Sequence, residues 1–382
     1  MSRLRVAPEE LLRGAGAIAT LAERLRSRGG RGDGRDGVRA LLVHGEHGYA
    51  GVRQRVDDAF AAAGVRLVRF AHTGPGAQRA IDAIAAAADA ASADWLVGVG
   101  GGRVLDATKG AAHALERRVA LIPTSPATCA ATAPTVVVYD DDGRHLDARE
   151  LGPASALVAL DADLLAAAPD RLLVAGIADA WAKVHEVTLT ARRAAPSATT
   201  RAALALVEDL RTLLRASAAA AVAAGPSGAN DPSQRATRAL VAEAVVLAPG
   251  LIGGLAGRDA KRALAHPLHD ALTTVPGSLR ALHGEKVAFG TLVQLSLAGS
   301  GLHDASASEC ARAVADELAH YASLGLRCDL EALGCAAVRG SAGYAAIAEH
   351  ALNDPSVLQA LPDLRPEQLA AAIAAVDDLT RA

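Results

Sequence analysis

Aromatic residues are scarce in this chain of 382 residues: two tryptophans, four tyrosines and three phenylalanines make up only 2% of it. Hydrophobic residues nevertheless account for 51%, so the core has to be built mainly from Ala, Leu and Val. Basic residues form no stripe, and the formal net charge is −3. These features argue against a nucleic-acid partner.

Cysteine is also rare, with four residues and no CxxC spacing, which does not suggest a disulfide framework in a chain of this length. The first residues, MSRLRVAPEELLRGAG, contain no apolar run of signal-peptide length. No run of about 18 or more consecutive apolar residues occurs, so a membrane span is not expected. We therefore expect a cytoplasmic protein with reduced thiols and no membrane partner.

Short runs rich in β-branched residues recur in the first part of the chain, and helix-like segments separate the early ones. This alternation predicts a largely parallel sheet with helices on both faces. Asp141-Asp142-Gly143 indicates a hairpin or another excursion of the chain. The predicted strands cover residues 40–45, 66–70, 95–100, 119–124, 135–141 and 155–160.

From about residue 163 the hydrophobic pattern changes to a period of 3.6 residues, which is typical of helices. Breaks rich in Pro and Gly separate the helical segments. The sequence therefore predicts an α/β nucleotide-binding domain over residues 1–162. An all-α domain follows over residues 163–382.

A glycine cluster in VGVGGGRVLDATKG lies between a predicted strand and a predicted helix. Gly100, Gly101 and Gly102 allow close approach of the backbone, and a helix N-terminus favours a pyrophosphate. Arg103 stands where the third glycine of GxGxxG would be, and no acidic residue follows about 20 positions later. The cluster is thus either a nucleotide loop of another kind or a plain tight turn.

Small hydroxyl residues follow the next predicted strand, in IPTSPATCAATAPT. Thr124, Ser125 and Thr128 could line a phosphate or nicotinamide pocket. A turn with a capping side chain is the alternative.

Three histidines lie close together in AHPLHDALTTVPGSLRALHGEK. His266 and His269 share one helix face, and His283 follows His266 by 17 residues. Asp179 lies in a largely apolar helix, where a carboxylate costs several kcal/mol unless it is paired or binds metal. Imidazole and carboxylate are the usual ligands of zinc and iron. Hydrogen-bonded core or surface positions remain the alternative, and His185 is expected at the surface.

Four segments, in this order, resemble the iron-containing alcohol dehydrogenase and glycerol dehydrogenase superfamily: VGVGGGRVLDATK, IPTSPATCAAT with VVVY, AGIADAWAK, and HPLHDALT with HGEKVAFGTLVQ. The resemblance covers about residues 40 to 295. It implies the fold shared with dehydroquinate synthase, in which an α/β domain binds NAD(P) and a helical domain binds a divalent metal. It also implies a homo-oligomer.

The resemblance assigns roles residue by residue. Gly100 to Gly102 would hold the pyrophosphate, and Asp106 and Lys109 match a GGGxxxDxxK signature in which Asp106 secures the loop. The metal ligands would be Asp179, His266 and His283, and His269 would relay a proton. The remaining cofactor positions would be Arg103, Thr124, Ser125, Thr128, Thr135 and Tyr139.

Differences among members of the family narrow the choice of metal ion, cofactor and substrate. The iron enzymes carry a fourth ligand, a His, where this chain has Lys183, which favours a three-ligand site and zinc over iron. Glycerol dehydrogenases carry an Asp where this chain has Cys129, and Ala178 is a further departure. Glu46 favours NAD, with NADP as the alternative. We expect a dehydrogenase that interconverts a small 2-oxo acid and a 2-hydroxy acid; a glycerol or polyol dehydrogenase, a dehydroquinate-synthase-like lyase and a non-catalytic NAD-binding protein are the alternatives.

Overall fold

The computed structural model describes residues 5–6, 8–30, 37–150, 156–193, 197–226, 231–257, 260–297 and 306–381. Their contacts divide the chain into two compact units. The unit that we call the sheet unit contains residues 5–173 and 224–251. The unit that we call the helical unit contains residues 174–223 and 252–382 as far as they are described.

This division differs from the boundary at residues 162 and 163, because one later helix, α9 (Pro232–Ala256), packs mostly with the sheet unit. The guanidinium of Arg238, 1% exposed, donates to the carbonyls of Ala166 and Ala168, at 2.7 Å each. The hydroxyl of Thr132 donates to the carbonyl of Val246 at 2.5 Å. A hydrophobic period reveals a helix but not the partner that it packs against.

The central sheet is parallel, as the sequence predicts, and its strand order is β1-β8-β5-β4-β2-β3. The predicted hairpin is also present, as an antiparallel pair of β6 and β7. The short strand β1 was not expected, since four residues give little alternation to detect. The strands are β1 (Glu10–Arg13), β2 (Val38–His44), β3 (Val65–Ala71), β4 (Trp95–Gly100), β5 (Arg118–Pro123), β6 (Thr135–Tyr139), β7 (His145–Glu150) and β8 (Leu157–Leu160).

The register aligns the carboxyl ends of three neighbouring strands. His44 lies beside Val99, and Gly100 lies beside Pro123. The residues that follow β2, β4 and β5 therefore emerge at one edge of the sheet. In parallel sheets this edge is where ligands bind.

Helices pack on the sheet through aliphatic side chains. Helix α1 buries Ile18, Leu21 and Leu25 on one face, and its neighbours in this core include only a few aromatic residues, such as Phe60 and Trp95. The core is thus built mainly from Ala, Leu, Val and Ile. Besides α9, the helices of this unit are α1 (Ala17–Ser27), α2 (Glu46–Ala50), α3 (Arg53–Ala62), α4 (Gln78–Ala90), α5 (Gly102–Ala114) and α6 (Ala162–Ala166).

The helical unit is built around closely packed helices. An ideal Cβ at Gly290 in α11 would lie 2.4 Å from the carbonyl oxygen of Ala265 in α10, so only glycine permits this approach. The helices outside the sheet unit's core are α7 (Asp170–Ala191), α8 (Ala198–Ala223), α10 (Ala265–Leu272), α11 (His283–Leu297), α12 (Ala307–Ser323), α13 (Ser341–Leu352), α14 (Pro355–Ala360) and α15 (Pro366–Arg381).

Helix α9 is, by length and composition, apolar enough to cross a membrane, with a mean hydropathy of 1.9 over its most apolar window. Core helices of water-soluble proteins pass the same test. In this protein α9 carries the buried Arg238 and an internal Pro249.

The contact at Gly290 makes a test of the helix packing. We expect Gly290→Ala to lower the free energy of unfolding by about 1–3 kcal/mol, because the new methyl group meets backbone that cannot rotate away. Gly51→Ala is the control, since a Cβ there meets nothing within 4 Å, and it should change stability by less than about 1 kcal/mol. Denaturant unfolding of both variants checks this; equal stabilities would contradict the close packing.

Candidate functional site

Asp179 lies in the middle of α7 and is 5% exposed. Its Oδ1 lies 3.1 Å from Nε2 of His266 and 3.3 Å from Nε2 of His283. One ligand atom from each residue lies within 4.8 Å of the other two. The three residues that the resemblance assigns as metal ligands therefore lie close together.

Local packing explains how side chains so distant in sequence meet. His266 lies in the first turn of α10, and His283 is the first residue of α11. An ideal Cβ at Gly284 would lie 1.8 Å from the carbonyl oxygen of Ala175, one turn before Asp179. Because residue 284 has no side chain, the start of α11 presses directly against α7 and carries His283 to the carboxylate.

The outer nitrogen of each imidazole has its own partner. Nδ1 of His266 lies 2.5 Å from Oε2 of Glu186, whose other oxygen accepts from two backbone N–H groups. Nδ1 of His283 lies 3.0 Å from Nε2 of His269. Nδ1 of His269 in turn lies 2.8 Å from Oδ1 of Asp270.

These contacts fix the tautomers. A carboxylate only accepts, so His266 and His269 carry protons on Nδ1, and Nε2 of His269 accepts from Nδ1–H of His283. In the neutral form of both rings, the Nε2 lone pairs of His266 and His283 then point at the carboxylate of Asp179. In that state three acceptors face one another, and a positive charge between them, supplied by a proton on a ring or by a metal ion, stabilises the arrangement.

The spacing fits a metal ion. Two ligand atoms that each lie about 2.0–2.1 Å from a tetrahedral zinc ion are separated by about 3.3 Å. The two separations from Asp179, 3.1 and 3.3 Å, match this value. A carboxylate such as that of Glu186 behind His266 is a usual outer partner of a histidine ligand. The residues therefore fit a divalent cation.

The pKa shifts of the residues in this cluster also favour a positive charge at the site. Burial alone would raise the pKa of Asp179, but the imidazoles of His283 and His266 outweigh burial and hold this pKa far below its usual range. Burial of Glu186 is likewise outweighed by His266 and Lys183, so the pKa of Glu186 lies far below its usual range. Burial lowers the pKa of His266, yet the carboxylates of Glu186 and Asp179 raise it overall. The site thus favours a positive charge.

His269 is 3% exposed, and both of its ring nitrogens have partners within the helical unit. Burial and the neighbouring His283 lower the pKa of His269 well below its usual value, so the ring is neutral. The proton-relay role expected from the resemblance is not tested by these contacts. They show a ring that lies behind His283.

Besides Asp270, two residues of this cluster were missed in the sequence. Glu186 lies seven residues after Asp179 on α7, so two helical turns place both on one face. That spacing was the available signal. Arg262 was the second: it pairs with Asp270 and lies 3.4 Å from Asp354. Nothing in the local pattern singles out Arg262.

The expectation that His185 lies at the surface is wrong. Its side chain is only 17% exposed, and its Nε2 lies 3.4 Å from Oε2 of Glu317. Its ring also meets Trp181 edge-on, with centroids 5.8 Å apart. The residue follows Asp179 by six positions, which places it on another face of α7, and that face is covered by α12.

In the sheet unit, the glycine cluster forms the turn between β4 and α5. Gly100 ends the strand, Gly101 caps the helix and Gly102 is its first residue. A Cβ at Gly100 would lie 2.9 Å from Val104, whereas a Cβ at Gly101 would meet nothing within 4 Å. The helix start at Gly101 is therefore open to a ligand, which suits a pyrophosphate.

The hydroxyl residues after β5 lie against this turn. The amide of Thr124 donates to the carbonyl of Gly100 at 3.1 Å. A Cβ at Gly102 would lie 2.9 Å from Oγ1 of Thr128. Ser125 makes a local contact instead, since its Oγ accepts from the amide of Ala127 at 3.2 Å. Thr124 and Thr128 thus border the glycine turn.

The other proposed cofactor positions lie on α5 and β6. Arg103 is exposed in the first turn of α5, and Asp106 accepts from the amide of Val137 at 3.1 Å. Thr135 begins β6 and Tyr139 ends it. The structure places all of these residues in one unit. Asp106 acts there by holding β6.

Known proteins are similar to this chain in sequence. A family model of iron-containing alcohol dehydrogenases matches residues 8–161. Hydroxycarboxylate dehydrogenase A of Escherichia coli K12 is 32% identical over 68% of this chain and 70% of its own length. A glycerol dehydrogenase of Escherichia coli O6:H1 is 34% identical over 78% of both chains.

Solved structures agree. A probable glycerol dehydrogenase from Sinorhizobium meliloti 1021 superposes with a TM-score of 0.82 at 26% identity, over 100% of this chain and 99% of the other. Sequence identity, coverage and fold lead to one conclusion: this chain belongs to the iron-containing alcohol dehydrogenase family, whose members are oxidoreductases that act on alcohol groups.

Proposed function

We propose that this protein is an NAD-dependent, zinc-dependent dehydrogenase that interconverts a small 2-oxo acid and the corresponding 2-hydroxy acid. Members of the family bind NAD and a metal ion. The observation that carries the proposal is the convergence of Asp179, His266 and His283 on one point. When both imidazoles are neutral, this set places three acceptors face to face, and a bound cation compensates them.

Asp179, His266 and His283 would hold the metal. When bound, a divalent cation supplies a Lewis acid that eases loss of a hydroxyl proton and, in the reverse direction, polarises a carbonyl group. Zinc is favoured over iron because the position of a fourth ligand is taken by Lys183. Its ammonium donates to the carbonyl of Lys261 at 2.7 Å.

The surrounding residues keep the ligands in place. Glu186 holds the ring of His266, while Asp270 acts on His283 through His269. We assign His269 a positioning role as part of this proposal, because both of its nitrogens are engaged. A proton relay would require His269 to release one of these two contacts.

The glycine turn and its neighbours would hold the dinucleotide. The open helix start at Gly101 receives the pyrophosphate, and Thr124 and Thr128 border it. Glu46 is exposed in the first turn of α2, directly after β2. A carboxylate at this edge repels a 2′-phosphate, which favours NAD over NADP. The dinucleotide supplies the hydride acceptor or donor, depending on the direction.

Cys129 supports an oxo acid as substrate. The resemblance places an Asp at this position in glycerol dehydrogenases, where a carboxylate would accept from hydroxyl groups. Cys129 is half-buried and is not part of a disulfide. A neutral side chain does not repel a substrate carboxylate.

Glycerol or another polyol is the second candidate, because several similar proteins are glycerol dehydrogenases at comparable identity. A lyase of the dehydroquinate synthase type is disfavoured, since the similar proteins are named as oxidoreductases. Such a lyase would use NAD only transiently, whereas a dehydrogenase accumulates NADH.

Removal of a ligand tests the metal role. We expect His283→Ala and Asp179→Asn to lose bound zinc and at least about 99% of turnover, because two ligands hold zinc poorly in a site built for three. His350→Ala is the control, as His350 is exposed at the end of α13 in the same unit. Metal analysis of the purified variants and nicotinamide absorbance give the readouts. Full zinc content in either ligand variant would remove that residue from the site.

Glu186 offers a second test. In Glu186→Gln an amide N–H₂ has to face either the imidazole Nδ1–H or two backbone N–H groups, so we expect zinc affinity to fall by about 10–100-fold. Asp377→Asn is the matched control: both carboxylates are fully buried, but Asp377 pairs with Arg339. Its zinc affinity should stay within about twofold of the original. Zinc competition with a chelator measures both; equal affinities would contradict the role of Glu186.

A substrate panel separates the candidates. With NADH and zinc, we expect small 2-oxo acids to be reduced at least tenfold more efficiently, in kcat/KM, than glycerol is oxidised with NAD⁺. Because equilibrium favours carbonyl reduction, each pair is also measured in the opposite direction. Higher efficiency with glycerol and dihydroxyacetone would establish the polyol alternative and overturn the oxo-acid assignment.

A further inference from the structure

Lys109 is a buried cation in the sheet unit that the proposed chemistry does not use. It lies on α5, seven residues after Gly102, and is 5% exposed. A buried ammonium is costly unless each of its three protons finds an acceptor. The acceptors that surround Lys109 indicate its role.

Three backbone carbonyls converge on the ammonium. Nζ donates to the carbonyls of Ala130, Ala133 and Thr135, at 2.7, 3.2 and 2.6 Å. Oδ1 of Asp106 lies 2.8 Å away and balances the charge. Charge-assisted hydrogen bonds of this kind are stronger than neutral ones.

Two of these carbonyls, those of Ala130 and Ala133, belong to a segment without regular structure, and the third belongs to Thr135, the first residue of β6. Residues 124–134 form neither helix nor strand, so no ladder of hydrogen bonds fixes their shape. The hydrogen bonds from the Lys109 ammonium therefore hold the backbone of this segment, as hydrogen bonds between neighbouring strands hold a strand. A second anchor holds it from α9, where the carbonyl of Val246 accepts from the hydroxyl of Thr132.

The anchored segment borders the glycine turn. The space beside Gly102 is filled by Thr128, whose Oγ1 would lie 2.9 Å from an added Cβ, and by Ala130, whose Cβ would lie 3.5 Å away. Ala130 is also the first residue held by Lys109. A shift of this segment would thus change the wall of the site where the dinucleotide is proposed to bind.

We propose that Lys109 is a positioning residue for the dinucleotide: its ammonium, balanced by Asp106, fixes residues 130–135 against the start of α5. The inference rests on the proposed function, since it assumes that the glycine turn binds NAD. It adds that cofactor affinity depends on a cation that makes no contact with the cofactor. Lys109 acts only through the backbone that it holds.

The test compares Lys109→Met with Lys286→Met in zinc-loaded protein. Lys286 is also 5% exposed and also donates to two carbonyls, those of Ser278 and Ala281, but in the helical unit. We expect Lys109→Met to weaken NAD⁺ binding at least tenfold by calorimetry. Lys286→Met should bind NAD⁺ within twofold of the original protein, although both variants lose thermal stability.

A second readout separates positioning from general destabilisation. Hydrogen exchange of the cofactor-free protein should be faster at the amides of residues 128–137 in Lys109→Met and unchanged in α10. The KM for NAD⁺ should rise while kcat at saturating cofactor changes little. If Lys109→Met does not fold, Lys109→Gln, which keeps two donors, is measured against the same criteria.

The possible results test the role of Lys109 and the proposed function separately. A folded Lys109 variant with NAD⁺ affinity within twofold of the original overturns the role of Lys109 alone. Failure of the original protein to bind NAD⁺ or NADP⁺ overturns the proposed function and, with it, this inference. Because binding is measured rather than turnover, a wrong substrate assignment leaves the test intact.

Discussion

The buried carboxylate of Asp179 is the constraint on which the rest of the helical unit depends. A charge at 5% exposure is tolerated only where positive charge lies close to it. His266 and His283 approach it from two other helices, and their outer nitrogens are held by acceptors. The glycine at position 284 makes this approach geometrically possible. Packing and electrostatics therefore specify the same arrangement.

A similar solution serves a different purpose in the sheet unit. There the buried ammonium of Lys109 donates to two carbonyls of an irregular segment and to one at the start of β6, and Asp106 neutralises its charge. In the helical unit, two imidazoles lie around the buried carboxylate of Asp179. In the sheet unit, backbone carbonyls lie around the buried ammonium of Lys109. In both places a buried charge is stable only when its partners lie at hydrogen-bonding positions, so its burial favours one local geometry.

Much of the sheet unit was predictable because its signals are local. The β-branched runs at β2, β4 and β5 read as strands, and the glycines after β4 read as a turn before a helix. The three metal-site residues came from a resemblance, supported by the spacing of His266 and His269 on one helix face. Glu186 was missed although it follows Asp179 by two helical turns, because a single acidic residue in a helix usually lies at the surface.

The sequence by itself determined the parallel sheet, the helical second half and the residue types available for a metal site, since periodicity and composition depend on neighbours along the chain. Only the tertiary structure decided that α9 packs with the sheet unit, that His185 is half-buried beside Glu317, and that His269 contacts His283. These are contacts between segments far apart in the chain. They depend on packing and on hydrogen-bond partners that no local pattern encodes.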